Sequence, residues 1–316
     1  MKKAIIIGST GQDGTYLTSF LREHHYEVTG ISGKTITDNQ YGIFTSDIRK
    51  PEYADRVIKI IQPDEVYFLA AIHHSSEEQA IEDGELFRAS IDVNVTALVN
   101  FLESIRKFST RSRLFYAASS HVFGNPEKSP QDELTPFRPD CIYGITKSAG
   151  AHACRFYRER HRIFACAGIL YNHESPLRGS KYVSKKIVEA AVAIRQGKKK
   201  ELVLGNLDSE IDWGYAPDYV RGMHAMMQLP GPDDFIISSG EVHSIRDFVS
   251  EVFSYLGLDW KAFVKVNPAL ITKQQKRHLA GNNQKIRNAT GWAPGVDFKG
   301  LIKILVDEEL KKHGSE

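Results

Sequence analysis

The sequence predicts an α/β protein with a doubly wound parallel sheet and a smaller C-terminal region beside it. Two observations carry this prediction. Short β-branched runs alternate with segments whose apolar residues recur at helical spacing, an order typical of parallel strands joined by crossover helices. A glycine-rich turn also follows the first such run directly, as is typical of open α/β sheets.

Each element can be assigned in turn, because helices and strands place their apolar residues with different periods. The predicted elements are, in order, the strand "KAIIIG", the helix "DGTYLTSFLREHH", the strand "YEVTGIS", a helix through Tyr53, Val57 and Ile61, the strand "EVYFLAA", one long helix through Ile91, Val95, Leu98, Leu102 and Ile105, the strand "RLFYAASS", a helix from Tyr143 to about Glu159, and the strand "IFACAGIL".

The regular alternation ends at about Tyr171, and the rest of the chain is punctuated by glycine, proline and asparagine. We therefore expect a first domain over residues 1–170 and a second, substrate-binding region over residues 171–316 that closes over the carboxyl edge of the sheet. Residues 215–245 are expected to return to the first domain.

Composition narrows the function classes. Of the 316 residues 41% are hydrophobic and 25% charged, and the net charge of +2 argues against a nucleic acid or a membrane surface as the main partner. Cys141, Cys154 and Cys166 are too few and too scattered for a disulfide framework or a zinc site, so we expect a reduced, cytoplasmic setting and no metal. The apolar run in "MKKAIIIGSTG" is too short for a signal peptide.

The glycine-rich turn predicts a dinucleotide site. Gly8, Gly11 and Gly14 are spaced G-x-x-G-x-x-G between a strand and a helix, where a pyrophosphate must approach the backbone amides of the helix N-terminus closely. The first domain is therefore expected to be a Rossmann domain. At the end of the second strand, "GISGKT" offers Lys34 and no acid, which favours NADP over NAD and leaves NAD open. Asp47 is expected beside the adenine or as a turn residue.

A reactive pair follows the strand that ends in Ser119 and Ser120. Tyr143 and Lys147 lie one helical turn apart, on one face of the predicted helix. A lysine ammonium and an oxidised nicotinamide favour the phenolate of a nearby tyrosine, which can then take a hydroxyl proton while the carbon gives up a hydride. Ser119 is expected to hold the same hydroxyl, and Asn94 either to support Lys147 or to fill a helix–sheet junction.

These features together resemble the extended short-chain dehydrogenases/reductases. Within that group the chain is similar to the GDP-mannose 4,6-dehydratase family over essentially its whole length. The segments that carry the likeness, in the family's order, are "GSTGQDGTYL", "YFLAA", "YGITK", "GILYNHESPLRG", "LGNLDSEIDWGYAPDYV", "PDDFIISSGEVHSIRDFV" and "TGWAP".

The resemblance implies an intramolecular redox elimination on a nucleotide-activated sugar, with a GDP-sugar as the first expectation. In that reaction the cofactor takes hydride from C4, the new ketone acidifies the C5 proton, water leaves across C5 and C6, and the hydride returns to C6. The family also implies a homodimer or homotetramer, pairing through helices near residues 85–108 and 143–160.

The resemblance assigns site residues as well. The expected catalytic residues are Ser119, His121, Tyr143 and Lys147. The expected cofactor contacts are Gly8, Thr10, Gly11, Gln12, Asp13, Gly14, Lys34, Asp47, Ile48, Leu69, Ala70, Ala71, Asn94, Tyr143 and Lys147. The expected substrate contacts are Ser120, Asn172, Arg178, Val183, Lys186, Leu204, Gly205 and Asn206.

The sequence departs from the family at the acid/base position. Where the family has a glutamate that takes the C5 proton and helps protonate the leaving hydroxyl, this chain has His121. An imidazole with an ordinary pKa of about 6.5 can do both, and a loop histidine with no proton to move is the alternative. His73 and His74 are expected near the nicotinamide edge, as substrate contacts or as structural residues.

The nucleotide pocket also departs from the family. Ile211 stands where the family has an arginine, and "TKQQ" (Thr272 to Gln275) replaces an "RPAE" segment. Isoleucine cannot replace a bidentate phosphate contact, which leaves Arg178 and Lys185 as candidates.

Three hypotheses follow from these departures. The first is a nucleotide-sugar 4,6-dehydratase. The second is a C4 oxidoreductase or epimerase that eliminates no water, and the third is a cofactor-binding paralogue without turnover. The presence of Ser119, Tyr143 and Lys147 argues against the third, because a non-catalytic scaffold has no physical need of all three.

Overall fold

The computed structural model describes residues 1–33, 36–37, 47–73, 81–270 and 279–313. The strands in these ranges are β1 (Lys3–Ile7), β2 (Glu27–Ile31), β3 (Ile36–Thr37), β4 (Glu65–Phe68), β5 (Arg113–Ser119), β6 (Phe164–Leu170), β7 (Asn172–Glu174), β8 (Leu202–Leu204), β9 (Glu210–Tyr215), β10 (Phe235–Ile237), β11 (Val242–Ser244) and β12 (Val264–Val266).

The α-helices in the same ranges are α1 (Gln12–Glu23), α2 (Pro51–Ile61), α3 (Asp83–Ile91), α4 (Ala97–Phe108), α5 (Ile142–His161), α6 (Val183–Arg195), α7 (Ala216–Met227), α8 (Ile245–Tyr255), α9 (Gln284–Thr290) and α10 (Phe298–His313). Short 3₁₀ turns occupy Ser120–Phe123, Trp260–Ala262 and Pro268–Leu270. None of these helices is long and apolar enough to cross a membrane.

The main sheet confirms the predicted fold class. Its strand order is β10-β6-β5-β4-β1-β2-β3, and every neighbouring pair is parallel except β2 with β3. Strands β2 and β3 are added on one side of β1, whereas β4, β5, β6 and β10 are added on the other, so the order of strands reverses between β1 and β4. In sheets of this kind the ligand crevice lies outside the carboxyl ends of the strands at that reversal.

Strand β1 shows why the sheet is covered on both faces. Its side chains alternate, so that Ile5 and Ile7 join a core with α2, α4 and α5, whereas Ala4 and Ile6 join a core with α1 and α7. All four side chains are at most 1% exposed. A continuous apolar strand of this kind is stable only between two helical layers.

The expected long helix through residues 91–105 is confirmed, but it is not a regular α-helix throughout. A π-helical turn, Asp92–Thr96, joins α3 to α4 within one continuous helix. Its buried Asn94 accepts a hydrogen bond from the Ile72 amide (2.8 Å) and donates to the Thr146 hydroxyl (2.9 Å). Apolar spacing shows which face of a helix is buried, but it carries no information about such side-chain bonds. A π-turn of this kind often marks a functional site.

The second region is built from smaller layers. Strands β11, β9 and β7 form one sheet, and β12 pairs with β8. Helices α6, α8 and α10 enclose a separate apolar core around Trp213 and Phe248. By contrast, α7 packs on α1, and β10 pairs with β6 in the main sheet. We propose that residues 215–245 belong to the first domain for this reason.

Asp234 anchors the returning segment just before β10. The carboxylate is 6% exposed and accepts hydrogen bonds from Arg158 (2.9 Å), Arg155 (3.2 Å) and the Ala167 amide (3.1 Å). Burial alone would raise the pKa of Asp234, but the Arg158 guanidinium outweighs burial and holds that pKa below its usual value. One ion therefore joins α5, β6 and the start of β10.

We expect Asp234→Asn to lower the free energy of unfolding at pH 7 by about 3 kcal/mol, because Arg158 loses its buried counter-charge. The folded pKa of Asp234 is depressed, so its contribution is present above the unfolded pKa and lost as pH falls through the folded value. The difference between the wild type and the variant should therefore shrink from pH 6 to pH 3, as measured by urea unfolding.

The neighbouring Asp233 provides a matched control. Its side chain is 51% exposed and pairs with Lys285 at the surface. Asp233→Asn should cost less than about 1 kcal/mol, as for other exposed pairs. Equal losses in the two variants would contradict the anchoring role of Asp234.

Candidate active site

Two adjoining cavities lie at the carboxyl edge of the main sheet. The first, of about 590 Å³, is lined by Ile7, Gly8, Gly11, Ile31, Ser32, Gly33, Asp47, Ile48, Arg49, Leu69, Ala70, Ala71, Ile72 and Val93. The second, of about 420 Å³, is lined by Asp13, Leu69, His73, Ala117, Ala118, Ser119, Ser120, His121, Tyr143, Lys147, Leu170, Tyr171, Asn172, His173, Arg178, Lys181, Tyr182 and Val183. Leu69 lines both, so the two cavities form one cleft.

The glycine-rich turn shapes the first cavity. Gly8 has φ 95°, donates its amide to the Ile31 carbonyl (2.7 Å), and leaves no room for a Cβ beside the Ala70 amide. A Cβ on Gly14 would overlap the Gly8 carbonyl, so the turn can close on α1 only with glycine there. Gly11 caps α1 with extended backbone. The backbone is thereby exposed at a helix N-terminus, which fits a dinucleotide pyrophosphate.

The far end of the first cavity contains Asp47 and Ile48. The Asp47 carboxylate accepts two hydrogen bonds from the Arg49 guanidinium (2.8 and 3.2 Å) and one from the Arg49 amide (3.1 Å). The Arg49 side chain lowers the pKa of Asp47 through these bonds. Asp47 is thus both a turn residue and part of the cavity wall. Lys34 lies outside the described residues.

Tyr143 and Lys147 lie on one face of α5, at the centre of the second cavity. The Lys147 ammonium is 1% exposed, donates to the Ala117 carbonyl (2.6 Å) and lies 5.5 Å from the centre of the Tyr143 ring. Burial lowers the pKa of Lys147 to about 7, against a smaller opposing effect of Asp13. Burial also raises the pKa of the Tyr143 phenol. Tyr143 and Lys147 alone therefore do not produce the expected lowering of the phenol pKa.

Asn94 does not bond Lys147 directly. Its side chain is engaged by Ile72 and Thr146, and its carbonyl accepts from the Tyr116 hydroxyl at 3.3 Å. The Tyr116 ring in turn lies 4.9 Å from the Lys147 ammonium. Asn94 therefore connects the segment after β4 to helix α5 and holds the Tyr116 ring beside Lys147.

A tight turn after β5 presents His121 to the same cavity. The Ser119 hydroxyl accepts a hydrogen bond from the His121 amide (3.3 Å) and caps the 3₁₀ turn. The His121 ring lies 5.7 Å from the Tyr143 ring, edge to face. Gly144 permits this approach, because a Cβ there would overlap the His121 carbonyl.

Cys141 has a larger role than its sequence context indicates. The sequence offers it only as one of three scattered cysteines, but in the structure it is the N-cap of α5. Its sulfur accepts a hydrogen bond from the Gly144 amide (3.4 Å) and lies 3.6 Å from Nδ1 of His121. The start of α5 thus touches the ring at the acid/base position.

The rings of His73, His121 and Tyr143 form one cluster in the second cavity. The His73 ring is 4.7 Å from the Tyr143 ring and 6.4 Å from the His121 ring. The Tyr182 hydroxyl lies 3.5 Å from Nδ1 of His73, and the Arg178 guanidinium stacks 3.6 Å above the Tyr182 ring. His73 is therefore placed to contact a substrate. His74 lies outside the described residues.

The predicted substrate contacts divide into two groups. Ser120, Asn172, Arg178 and Val183 line the second cavity, whereas Lys186, Leu204, Gly205 and Asn206 line neither part of the cleft. Leu204 is buried in the core of the second region, Gly205 packs on Leu270, and the Asn206 side chain accepts from the Asp208 amide. At these last three positions the structure shows packing and turn contacts, and their expected contact with substrate stays a prediction.

Lys185 and Ile211, considered above for the phosphate site, line neither part of the cleft. Lys185 is buried and donates to Glu309 (2.5 Å), so its charge is already neutralised within the fold. Ile211 packs against the core of the second region. Thr272–Gln275 lie outside the described residues, and Arg178 is the predicted cation that lines the cleft.

Two other predicted cofactor residues, Thr10 and Gln12, line neither cavity. Thr10 is exposed. Gln12 donates to the His173 carbonyl (3.1 Å) and accepts from the Ser175 hydroxyl (2.8 Å). The Gln12 amide therefore ties the glycine-rich turn to the segment after β6. No group of three His, Cys, Asp or Glu side chains in the described ranges is arranged to hold a metal ion.

A buried ion pair, missed by the sequence analysis, joins the same two segments. Nε2 of His173 lies 2.9 and 3.0 Å from the two oxygens of Asp13, and its Nδ1 bonds the Tyr171 carbonyl (2.7 Å). Burial opposes both charges, but their attraction outweighs it, raising the pKa of His173 and lowering that of Asp13. The motif "NHESP" draws attention to this histidine, yet nothing local reveals a partner 160 residues away.

We expect His173→Gln to lower the free energy of unfolding at pH 6 by about 2 kcal/mol, because Asp13 is left buried without its cation. The folded pKa of His173 is raised, so the contribution is present below its unfolded pKa and lost as pH rises through the folded value. The difference from the wild type should therefore narrow between pH 6 and pH 9 in urea unfolding. The exposed His152→Gln is the control, and parallel curves for His173→Gln and the wild type would contradict the ion pair.

Comparison with known proteins extends these observations. The model of the GDP-mannose 4,6 dehydratase family matches residues 5–305. GDP-mannose 4,6 dehydratase 2 of Arabidopsis thaliana is 38% identical, covering 98% of this chain and 87% of its own length. GDP-mannose 4,6-dehydratase of Vibrio cholerae is 32% identical, covering 99% and 97%.

Solved structures agree on the fold. RMD from Pseudomonas aeruginosa, complexed with NADPH, superposes with a TM-score of 0.81 at 17% identity, covering 99% of this chain and all of that one. The dTDP-glucose 4,6-dehydratase of Bacillus anthracis, complexed with NAD, gives 0.83 at 18% identity, covering 99% and 98%. The family model and the relatives above show that the chain belongs to the GDP-mannose 4,6-dehydratase family.

Proposed function

We propose that this protein is an NAD(P)-dependent nucleotide-sugar 4,6-dehydratase and that GDP-mannose is its first candidate substrate. The observation that carries the proposal is the meeting of Tyr143, Lys147, Ser119 and His121 in one cavity that adjoins the glycine-rich turn. The full-length relatives named GDP-mannose 4,6-dehydratase support the choice of sugar nucleotide.

The first cavity would hold the cofactor. Gly8 and Gly11 expose the backbone to the pyrophosphate, and Asp47 and Ile48 line the adenosine end. The nicotinamide supplies a hydride acceptor and, later, a hydride donor. We propose NADP, because β2 ends at Ile31 and is followed by Ser32 and Gly33, with no acid there for a ribose hydroxyl, and NAD is the alternative.

Tyr143 would accept the C4 hydroxyl proton while Ser119 holds that hydroxyl. Lowering a phenol pKa from about 10 to about 7 needs about 4 kcal/mol. Burial alone works against this, so positive charge must offset it in the reacting complex. Burial lowers the pKa of Lys147 to about 7, so the charge of Lys147 can respond to the substrate and cofactor beside it.

His121 would carry the elimination. Its imidazole takes the C5 proton, the C5–H electrons form the C5–C6 double bond, and the C6 hydroxyl leaves as water after receiving a proton. An ordinary imidazole pKa of about 6.5 suits both transfers near neutral pH. Asp13 is the one carboxylate among the described residues of this cavity, and it is paired with His173.

That shortage of carboxylates also favours the second candidate, a C4 oxidoreductase or epimerase that uses Tyr143 and Lys147 and eliminates no water. The two candidates differ in what they leave behind. The dehydratase releases water and returns its cofactor unchanged. A C4 oxidase accumulates reduced cofactor, and an epimerase returns its cofactor unchanged but releases no water.

We further propose a cytoplasmic homo-oligomer. The three cysteines are free thiols, as a reducing compartment would keep them. Ile145 and Phe156 on α5 and Phe87 on α3 are exposed apolar side chains in the helices expected to pair. Burying them between two copies would form a homodimer of the kind that exposed apolar patches favour.

The test is incubation of the purified protein with NADP and GDP-mannose in heavy water, followed by mass spectrometry of the sugar nucleotide. We expect loss of one water and gain of one deuterium at C5. Tyr143→Phe should slow turnover by about 10²–10⁴-fold while binding NADPH normally, because it removes the base and leaves the cofactor cavity intact. Full turnover in Tyr143→Phe would overturn the mechanism.

We expect His121→Ala to slow C5 deuterium incorporation far more than it weakens cofactor binding, because only the elimination needs the imidazole. Transient reduction of the cofactor should persist in this variant. Deuterium incorporation at the wild-type rate would make His121 a bystander.

A further inference from the structure

We propose that Cys141 is a positioning residue for His121. Its sulfur accepts a hydrogen bond from Nδ1–H of the imidazole and thereby keeps Nε2 as the nitrogen that exchanges protons with the substrate. This inference rests on the proposed function for its kinetic consequence, but its structural part concerns the free protein alone.

The geometry brings the sulfur into place. Sγ of Cys141 lies 3.6 Å from Nδ1 of His121 and 3.4 Å from the Gly144 amide, which donates to it. Both distances are within reach of hydrogen bonds to sulfur. The cysteine is also the N-cap of α5, so the position of its side chain is fixed by the helix.

The His121 backbone is held from three sides. Its amide donates to Ser119 Oγ (3.3 Å), its carbonyl accepts from the Gly124 amide (3.3 Å), and the same carbonyl abuts Gly144 where a Cβ would overlap it. Since the backbone cannot shift, the Cys141 contact acts on the orientation of the ring and on the position of its proton.

Two proton arrangements fit the contact between sulfur and nitrogen. If the thiol donated to Nδ1, the neutral ring would carry its hydrogen on Nε2 and could not accept a proton there. Protonation would then have to occur at Nδ1 and would break the bond. If Nδ1–H donates to sulfur, the same bond persists in the neutral and charged rings. A group that must take a proton and give it back at one nitrogen needs the second arrangement.

The ring nitrogens then have separate tasks. Nδ1 faces Cys141, and Nε2 lies on the opposite edge of the ring, in a residue that lines the cavity with Tyr143 and His73. Catalytic histidines commonly direct one N–H to a carboxylate or a backbone carbonyl to fix the tautomer. In this protein a helix-capping sulfur takes that position.

Two variants separate this role from helix capping. Cys141→Ser keeps a capping group that can also accept from Nδ1–H. Cys141→Gly removes the acceptor but costs an N-cap only a few tenths of a kcal/mol. The tautomer is read from two-bond proton–nitrogen correlations of protein labelled with ¹⁵N-histidine, and His121→Ala assigns the signal.

We expect His121 to carry its hydrogen on Nδ1 in the wild type and in Cys141→Ser, and to shift toward Nε2–H in Cys141→Gly. C5 deuterium incorporation should slow by about five- to tenfold in Cys141→Gly, the factor for one lost hydrogen bond, with transient cofactor reduction unchanged. A wild-type ring protonated on Nε2, or an unchanged tautomer in Cys141→Gly, would overturn the proposal.

The two proposals fail separately. The tautomer is measured without substrate, so an Nδ1–H ring in a protein that removes no water from GDP-mannose would count against the proposed function alone. Water loss by a wild type whose His121 carries Nε2–H would leave the dehydratase standing and remove the role of Cys141.

Discussion

The contact on which the active site depends is the docking of the first turn of α5 against the turn that follows β5. Gly144 lies against the His121 carbonyl, where any side chain would overlap it. This contact brings Tyr143 on α5 and Cys141 at the N-cap of α5 against the end of β5 and the turn that follows it. Ser119 is the last residue of β5, and His121 lies in the turn. Because both elements are anchored in the main core, the relative positions of these four groups are set by the fold rather than by a flexible loop.

A second constraint comes from charges placed inside the protein. Lys147 is almost fully buried beside the Ala117 carbonyl, and its pKa lies near neutrality as a result. Asp13 and His173 stabilise each other between the glycine-rich turn and the segment after β6. A buried ion pair of this kind is held in place by the fold and needs no reorganisation during a reaction. Asp13 lies on α1 and His173 on β7, and both line the second cavity.

Much of the fold and part of the site follow from local sequence. Strands such as β1 and β6 and the helical face that carries Tyr143 and Lys147 are set by spacing within one element, so periodicity predicts them. The missed features all involve partners distant in the chain. The π-turn at Asn94 depends on bonds to Ile72 and Thr146, and the pair of Asp13 with His173 spans 160 residues. Likewise, no local pattern shows that the Cys141 cap meets His121, because that meeting depends on the packing of α5 on β5.

The histidine at the acid/base position brings a requirement that a glutamate does not have. The two oxygens of a carboxylate are chemically equivalent, so either oxygen can accept the proton. The two nitrogens of an imidazole differ, and only the one without hydrogen is a base. A chain that uses His121 where its family uses glutamate therefore needs a second group to choose the nitrogen. Cys141 lies two residues before Tyr143, so one helix start can hold both the phenol that we propose for the hydride step and the sulfur that we propose as the partner of the imidazole.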